Sequence, residues 1–328
     1  MPYETGTATN LQDLLNKLGT FAGANGWTIH FSGARTGGAG SSGHALILSR
    51  GAVQAILRSN NSAGSTTNPG PFLEALLWSG TYTGASTETQ PNPSPATNAN
   101  WMTGPYVAYH FFASALAAPR PYLHVALEVQ SGTFRHFGIG QLRQFGAFTN
   151  GAYVHNTNQD FSTASNQVSN AESVGHSWPF DTAGSTANVY NTIVRADFGG
   201  VSPRYCQTSS NTDAVGRLRC TFRTPSNSER GSFAALSLAG PSAFTGRAPF
   251  FPLLCFAQAD ITDNLIHPLG FPDDFRFVRV DNFAPGDSVA LGADTWRIFP
   301  AVRKGPALSG PAGIQNSWTY GYAYRQVP

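Results

Sequence analysis

The first thirty residues combine a helical pattern with a strand pattern. Apolar side chains recur there at intervals of three and four residues, the spacing of one helix face: Leu11, Leu14, Leu15, Leu18 and Phe21. Asn10 is placed to cap the first turn, and Asp13 can reach back as in a capping box. Gly23 and Gly26 end the pattern, and an alternating run starts at Trp27. The pattern predicts an amphipathic helix that packs on a sheet and leads directly into a strand.

A β-hairpin is predicted near the middle of the chain. Residues 122–130 place four apolar side chains on one face of a strand: Leu123, Val125, Leu127 and Val129. Ser131-Gly132 offers a two-residue turn before a second strand over residues 133–140. Counting back from this turn pairs Glu128 with Arg135 on the polar face. We expect this cross-strand ion pair to contribute up to about 1 kcal/mol.

The rest of the chain also favours strands. Short alternating or apolar runs predict strands at 107–112, 250–257, 275–280, 288–291, 295–300 and 318–325. Residues 51–57 and 71–78 have some helical character, but they are short and could equally be strands. The aromatic side chains of the last run could fill a core or dock on a neighbouring subunit. The predicted fold class is therefore mainly β (α+β), with antiparallel sheets or a sandwich and one N-terminal amphipathic helix packed on them.

Three polar segments are predicted as loops, at residues 32–43, 83–100 and 156–173. They suggest an N-terminal domain of helix and β-hairpin over residues 1–155 and a polar loop or linker over 156–190. A C-terminal β-rich domain would then span residues 191–328, and the two domains could form one continuous unit. Whether the 156–173 loop is ordered before assembly stays open.

Charge and composition narrow the class of protein. Charged residues make up 12% of the chain, about half of the roughly 25% that is usual. A neutral, hydroxyl-rich surface carries little repulsion between copies. This composition fits a subunit covered by neighbours in an assembly, and it fits a neutral monomer equally well. The net charge of +2 comes without any basic run, so we expect no nucleic-acid partner.

The cysteines and the N-terminus indicate folding in a reducing cytoplasm. Three cysteines without CxxC spacing argue against a zinc ribbon and against a disulfide framework. Cys206 and Cys220 could pair across a hairpin, although three reduced thiols, with Cys255 in a core strand, are favoured. Residues 1–4 show no signal-peptide pattern, and no stretch approaches 18 consecutive apolar residues, so we expect no stable membrane insertion.

The histidines and the glycine-rich segment give little sign of chemistry. None of the eight histidines belongs to an HExxH motif. His110, His124 and Glu128 could converge on a metal only if neighbouring strands aligned them. In the predicted register His136 lies opposite Leu127, and a structural role is favoured for all these histidines. The glycine-rich segment 37–43 lacks the Gly-Lys-Ser/Thr and the helix that a phosphate site needs.

The acidic residues are interpreted as structural. Asp273-Asp274 and the Asp260/Asp263 pair could be compared with a glycosidase carboxylate pair. Acids in loops flanked by Pro and Gly more often cap turns. No GxSxG motif or Cys/His motif is present. The sequence therefore predicts a protein that is not an enzyme, with no catalytic, cofactor-binding or metal-binding residues and no cofactor.

Motifs at both ends and in the middle of the chain carry a family resemblance. Its parts are Gly6-Thr7-Ala8, Leu11, Asp13-Leu14-Leu15, Gly26-Trp27-Thr28, Phe134 to Leu142, Gly146 to Tyr153, Trp296 to Pro300 and Tyr320 to Arg325. Together they resemble structural proteins of the tailed-bacteriophage virion, of tail or baseplate type. The motifs consist of structural residues, so the resemblance implies no catalytic residue.

The resemblance implies a non-enzymatic structural subunit of a tailed-phage particle, at the tail tip or baseplate. Such a subunit would form a symmetric homo-oligomer, contact other phage structural proteins and could touch the host surface. It would be made in the bacterial cytoplasm and end in the virion. Alternatives are a neck, collar or head-decoration component, a receptor- or glycan-binding tail module with exposed Trp101, Trp178 and Trp318, and a cell-wall hydrolase. Stoichiometry, neighbours and host receptor stay open.

Overall fold

The computed structural model describes residues 2–35, 43–60, 71–84, 90–99, 102–157, 179–180, 191–197, 204–207, 217–220, 248–258, 266–304 and 320–326. These residues form one helix, α1 (Leu11–Ala24), and strands in three sheets. The fold is mainly β with a single N-terminal helix packed against antiparallel sheets, as the sequence predicts. None of the described helical residues forms a segment long and apolar enough to cross a membrane.

The largest sheet, the central sheet, has eleven strands. In spatial order they are β1 (Tyr3–Ala8), β7 (Tyr106–Ala113), β8 (Tyr122–Gln130), β9 (Thr133–Gln141), β11 (Thr149–Asn156), β12 (Thr192–Asp197), β13 (Arg204–Gln207), β14 (Arg217–Cys220), β16 (Cys255–Gln258), β17 (Ile266–Phe271) and β10 (Arg143–Gln144). Only the β13–β14 pair among these described strands is parallel. The sheet takes strands from both sides of residues 156–190, because β11 pairs with β12.

Two five-stranded sheets flank the central sheet. The N-terminal sheet contains β2 (Thr28–Ala34), β3 (His44–Arg50), β4 (Val53–Asn60), β5 (Phe72–Leu77) and β6 (Thr97–Ala99) in that order. The C-terminal sheet has the order β15 (Phe251–Pro252), β18 (Phe275–Arg279), β21 (Tyr320–Gln326), β20 (Asp294–Pro300) and β19 (Asp287–Leu291).

The three sheets form layers around two cores. Helix α1 and the N-terminal sheet cover one face of the central sheet with a mainly aliphatic core, which includes Leu14, Leu46 and Val125. The C-terminal sheet covers the opposite face with an aromatic core, which includes Phe112 and Phe275. The middle strands of the central sheet are consequently buried on both faces.

Helix α1 begins as predicted. The side chain of Asn10 accepts a hydrogen bond from the Asp13 N–H at 2.9 Å. The Asp13 carboxylate reaches back to the N–H of Thr9, at 2.9 Å, one residue before the N-cap. All five predicted core positions of the helix are buried: Leu11, Leu14, Leu15, Leu18 and Phe21. The strand β1, which precedes the helix, was not anticipated from the sequence.

The central hairpin has the predicted two-residue turn but a different register. Gly132 adopts φ +72° in the turn, where an L side chain would be strained. A register shift between Glu128 and Gln130 then places Glu128 opposite Phe134 and Leu127 opposite Arg135. The predicted Glu128–Arg135 pair is therefore wrong, because the two side chains lie on opposite faces. Glu128 instead accepts a hydrogen bond from the Gly132 N–H at 2.7 Å.

Several other expectations are decided by the described strands. Residues 51–57 and 71–78, which the pattern left open between helix and strand, contribute to the strands β4 (Val53–Asn60) and β5 (Phe72–Leu77). The strands predicted at 288–291 and 295–300 are β19 and β20, and they pair antiparallel. Tyr322 and Tyr324 of β21 fill the aromatic core. The side chains of Cys206 and Cys255 are buried. Most of the predicted 156–173 loop lies outside the described residues.

Candidate functional site

Two histidines meet above a glycine on β9. Gly138 is the register partner of His124 on β8 and of His155 on β11. A Cβ atom at position 138 would lie 2.3 Å from His124 Nδ1 and 2.8 Å from His155 Nε2. Because glycine leaves this space open, the two imidazoles cross over β9 and hydrogen-bond to each other, with 2.9 Å between His124 Nδ1 and His155 Nε2.

The hydrogen bonds of this histidine pair continue toward the C-terminal sheet. His124 Nε2 hydrogen-bonds to the carboxylate of Asp274, which directly precedes β18. The hydroxyl of Tyr153 lies 3.2 Å from the same His124 nitrogen. His124 and His155 are fully buried, and Asp274 is nearly so. Two strands of the central sheet, β8 and β11, and the residue that precedes β18 thus contribute to one continuous row of hydrogen bonds.

A third buried histidine joins the two sheets directly. His136 Nε2 donates a hydrogen bond to the carbonyl oxygen of Pro300 on β20, at 2.8 Å. Since that nitrogen carries the proton, Nδ1 of the neutral ring accepts from the hydroxyl of Tyr324 on β21, at 2.6 Å. Burial lowers the pKa of His136 to about 3. The neutral imidazole therefore satisfies both of its partners.

Aromatic rings enclose these polar groups. Phe275 stacks on His124 and on His155, with ring centroids 5.3 Å and 5.0 Å apart. Burial, followed by the charges of neighbouring imidazoles, lowers the pKa of His155 well below 6.5. Burial and the nearby Asp274 raise the pKa of Tyr153 and of Tyr324. We call the following residues the inter-sheet histidine cluster: His124, His136, His155, Tyr153, Asp274 and Tyr324.

The three metal-ligand candidates named from the sequence do not converge. His110 Nδ1 bonds to the Tyr3 hydroxyl at 2.9 Å, His124 belongs to the inter-sheet cluster, and Glu128 caps the hairpin turn. Among the described residues, no group of three or more His, Cys, Asp or Glu side chains is arranged to hold a metal ion.

The two neighbouring acids Asp273 and Asp274 have different roles. Asp273 accepts from Arg120 at the surface, with 2.6 Å to Nη2, whereas Asp274 bonds to buried His124. A turn-capping interpretation does not explain Asp274, and its partner is 150 residues away in sequence. Asp287 does cap a turn, since it accepts from the Ala284 N–H at 2.7 Å. Asp260 and Asp263 lie outside the described residues.

A second, exposed feature lies where β10 meets β17. Phe145 is 51% exposed and its ring lies 5.5 Å from that of Phe271. The guanidinium groups of Arg143 and Arg276 lie over the Phe271 ring, 5.8 Å and 5.2 Å from its centroid. We call these four residues the arginine–phenylalanine surface. Asp273 Oδ1 is 3.7 Å from Arg143 Nη1, so this ion pair is loose. The glycan-contact candidates Trp101, Trp178 and Trp318 lie outside the described residues.

The inter-sheet histidine cluster can affect how the two sheets pack against each other. Its imidazoles have no exposed surface, so they contact the residues of the two sheets that they join.

No protein-family model matches the sequence, and no curated protein matches it. The resemblance to tail and baseplate proteins therefore stays a prediction drawn from the motifs.

Proposed function

We propose that this chain is a non-enzymatic structural subunit of a tailed-bacteriophage particle. In this proposal it lies at the tail tip or baseplate and assembles as a symmetric homo-oligomer with other virion proteins around it. The motifs at both ends of the chain and at 134–153 support the family. The low share of charged residues leaves little charge repulsion between copies.

The edge of the C-terminal sheet at β19 is the observation that carries the proposal. Among the strands that the structure describes, β19 is the last on its side of that sheet. Four of its five residues are exposed, Leu291 by 55%, and only Asp287 is charged. Soluble monomers usually protect such an edge with lysine, proline or a covering segment. A second copy of this chain would complete the sheet through backbone hydrogen bonds.

Adding charged side chains to β19 tests whether the oligomer forms through this edge. We expect the wild-type chain to give a closed oligomer in light scattering after gel filtration. The double variant Ala290→Lys/Leu291→Lys should give a monomer, because two adjacent charges oppose edge pairing. Both positions are exposed, so the fold should persist. Leu116→Lys is the matched control, since Leu116 is 71% exposed and lies beside Gly26 and Arg50 rather than on β19.

A wild-type chain that is a compact monomer and is missing from mass spectra of purified virions would overturn the proposal. An unchanged oligomer in the double variant would show that β19 is not the contact. Immunogold labelling of virions separates the tail tip from the neck, collar and head, which are the alternative positions on the particle.

The arginine–phenylalanine surface favours a second candidate, a receptor- or glycan-binding tail module. An exposed ring can stack on a sugar, and the Arg143 guanidinium, with 60% of its side chain exposed, can bind a carboxylate. A glycan array tests this with Phe145→Ser/Arg143→Ser and with Leu116→Ser as control. Binding of carboxylated glycans that only the double variant loses would support the module, and absence of wild-type binding would contradict it.

A further inference from the structure

The two faces of the central sheet are held by different chemistry. Toward α1 and the N-terminal sheet, the contacts are mainly aliphatic. Toward the C-terminal sheet, the aromatic core is crossed by the histidine hydrogen bonds, from His124 to Asp274 and from His136 to Tyr324 and Pro300. This second interface therefore depends directly on the protonation of buried side chains.

The neutral state of His136 is built into its contacts. One ring nitrogen donates to the Pro300 carbonyl oxygen, and the other accepts the Tyr324 hydroxyl proton. A proton added to Nδ1 would remove that acceptor and place a cation in a fully buried aromatic site.

His155 is equally unsuited to hold a second proton. Its Nε2 faces His124, and its buried Nδ1 has no hydrogen-bond partner among the described residues. The rings of Phe180 and Phe275 lie against it, with centroids 5.3 Å and 5.0 Å away. Because burial disfavours the imidazolium, the pKa of His155 is lowered well below 6.5.

Among the described groups that face the cluster, Asp274 has no second buried carboxylate beside it. Asp274 is the one buried carboxylate among the described residues, and it is bonded to His124. The other titratable or charged groups around the cluster are Tyr122 of β8, Arg135 of β9, Cys255 of β16, Asp273 before β18, Arg276 of β18, Asp294 of β20, and Tyr322 and Arg325 of β21. The two arginines of β18 and β21 interact electrostatically with Asp274 as well.

We propose that the inter-sheet histidine cluster is an acid-sensitive latch. At neutral pH it fastens the C-terminal sheet to the central sheet. In acid the C-terminal sheet detaches, and His136 and His155 take up protons, while α1 and the N-terminal sheet stay packed. This inference does not rest on the phage proposal, because it concerns the fold of the isolated chain.

The direction of the pH effect follows from linkage. The pKa of both histidines is lowered in the closed state, so the open state binds more protons. Opening is therefore suppressed above the ordinary histidine pKa of 6.5 and becomes favourable as the pH falls from there toward about 3, the pKa of His136. Between pH 7.5 and 4.5, each such histidine can change the opening equilibrium by up to about 100-fold.

Amide hydrogen exchange of the full chain at pH 7.5 and pH 4.5 tests the latch, with rates corrected for intrinsic exchange. We expect protection in β18 and β21 to fall at least about tenfold in acid, and protection in α1 to change less than about twofold. His155→Phe should reduce the fall in β18 and β21 by about tenfold or more, since it removes one proton-binding site. His30→Phe is the matched control, because His30 lies in the N-terminal sheet, against Tyr82.

Three results would overturn the latch. One is equal protection of β18 and β21 at both pH values. Another is a fall of the same size in α1, which would mean global unfolding. The third is a fall in His155→Phe as large as in the wild type. If His155→Phe does not fold, the wild-type comparison of β18 and β21 with α1 decides alone.

Discussion

At the scale of single residues, the absence of one side chain organises the histidine cluster. Gly138 lies between His124 and His155, and the two rings occupy the space that a Cβ atom would need. The backbone oxygen of Leu123 would also lie 2.9 Å from that atom, so a side-chain shift alone cannot make room. The hydrogen bond between two strands that do not neighbour each other depends on this glycine.

Gly138→Ala should therefore destabilise the protein, by about 1–3 kcal/mol or more. The added methyl group would separate the imidazoles and leave polar atoms unpaired in an aromatic core. Urea unfolding at pH 7.5 measures the change in the free energy of unfolding. Gly146→Ala is the control, because its Cβ would meet its nearest atoms at 3.8 Å and 3.9 Å. Equal stability of the two variants would contradict this role of Gly138.

Only part of the cluster could be predicted from sequence. The strands that carry His124 and His136 follow from local alternation, so the placement of these residues on one hairpin was predicted. Asp274 joins His124 across 150 residues, and no local pattern indicates such a contact. In the sequence, the glycines of the 134–142 motif have only a structural interpretation. That one of them leaves space for two imidazoles follows only from the strand order β8–β9–β11.

At the scale of elements, local signals predicted the helix and most strands. Helix α1 has a cap and an uninterrupted apolar face, which depend on neighbours in sequence. The hairpin register depended on one residue, and the irregularity beside Val129 moved Arg135 to the other face of the sheet. Counting residues back from the turn assumes regular pairing, so it does not predict a β-bulge.

The polar face predicted for the central hairpin was also wrong at this scale. Strands β8 and β9 are buried almost throughout, because the C-terminal sheet covers the face that the pattern marked as polar. In the sequence, the histidines and glycines of β8 and β9 on that face resemble residues that face solvent. In the structure they form a second core, which only the packing of a third layer creates.

At the scale of the whole molecule, the proposed assembly combines a low charge with a contact through strand β19. The chain has 20 basic and 18 acidic side chains in 328 residues. Few charges are therefore available to attract or repel a second copy. Contact through β19 would use backbone hydrogen bonds and small or apolar side chains, with Leu291 among them.

This kind of contact predicts an oligomer that is insensitive to salt. Raising NaCl from about 0.1 M to about 1 M shortens the Debye length from about 10 Å to about 3 Å, yet the mass measured by light scattering should not change. Binding of a carboxylated glycan to the arginine–phenylalanine surface should weaken over the same range, because it depends on exposed arginines. Dissociation of the oligomer in 1 M NaCl would contradict an edge-paired assembly and indicate that charged side chains hold the copies together.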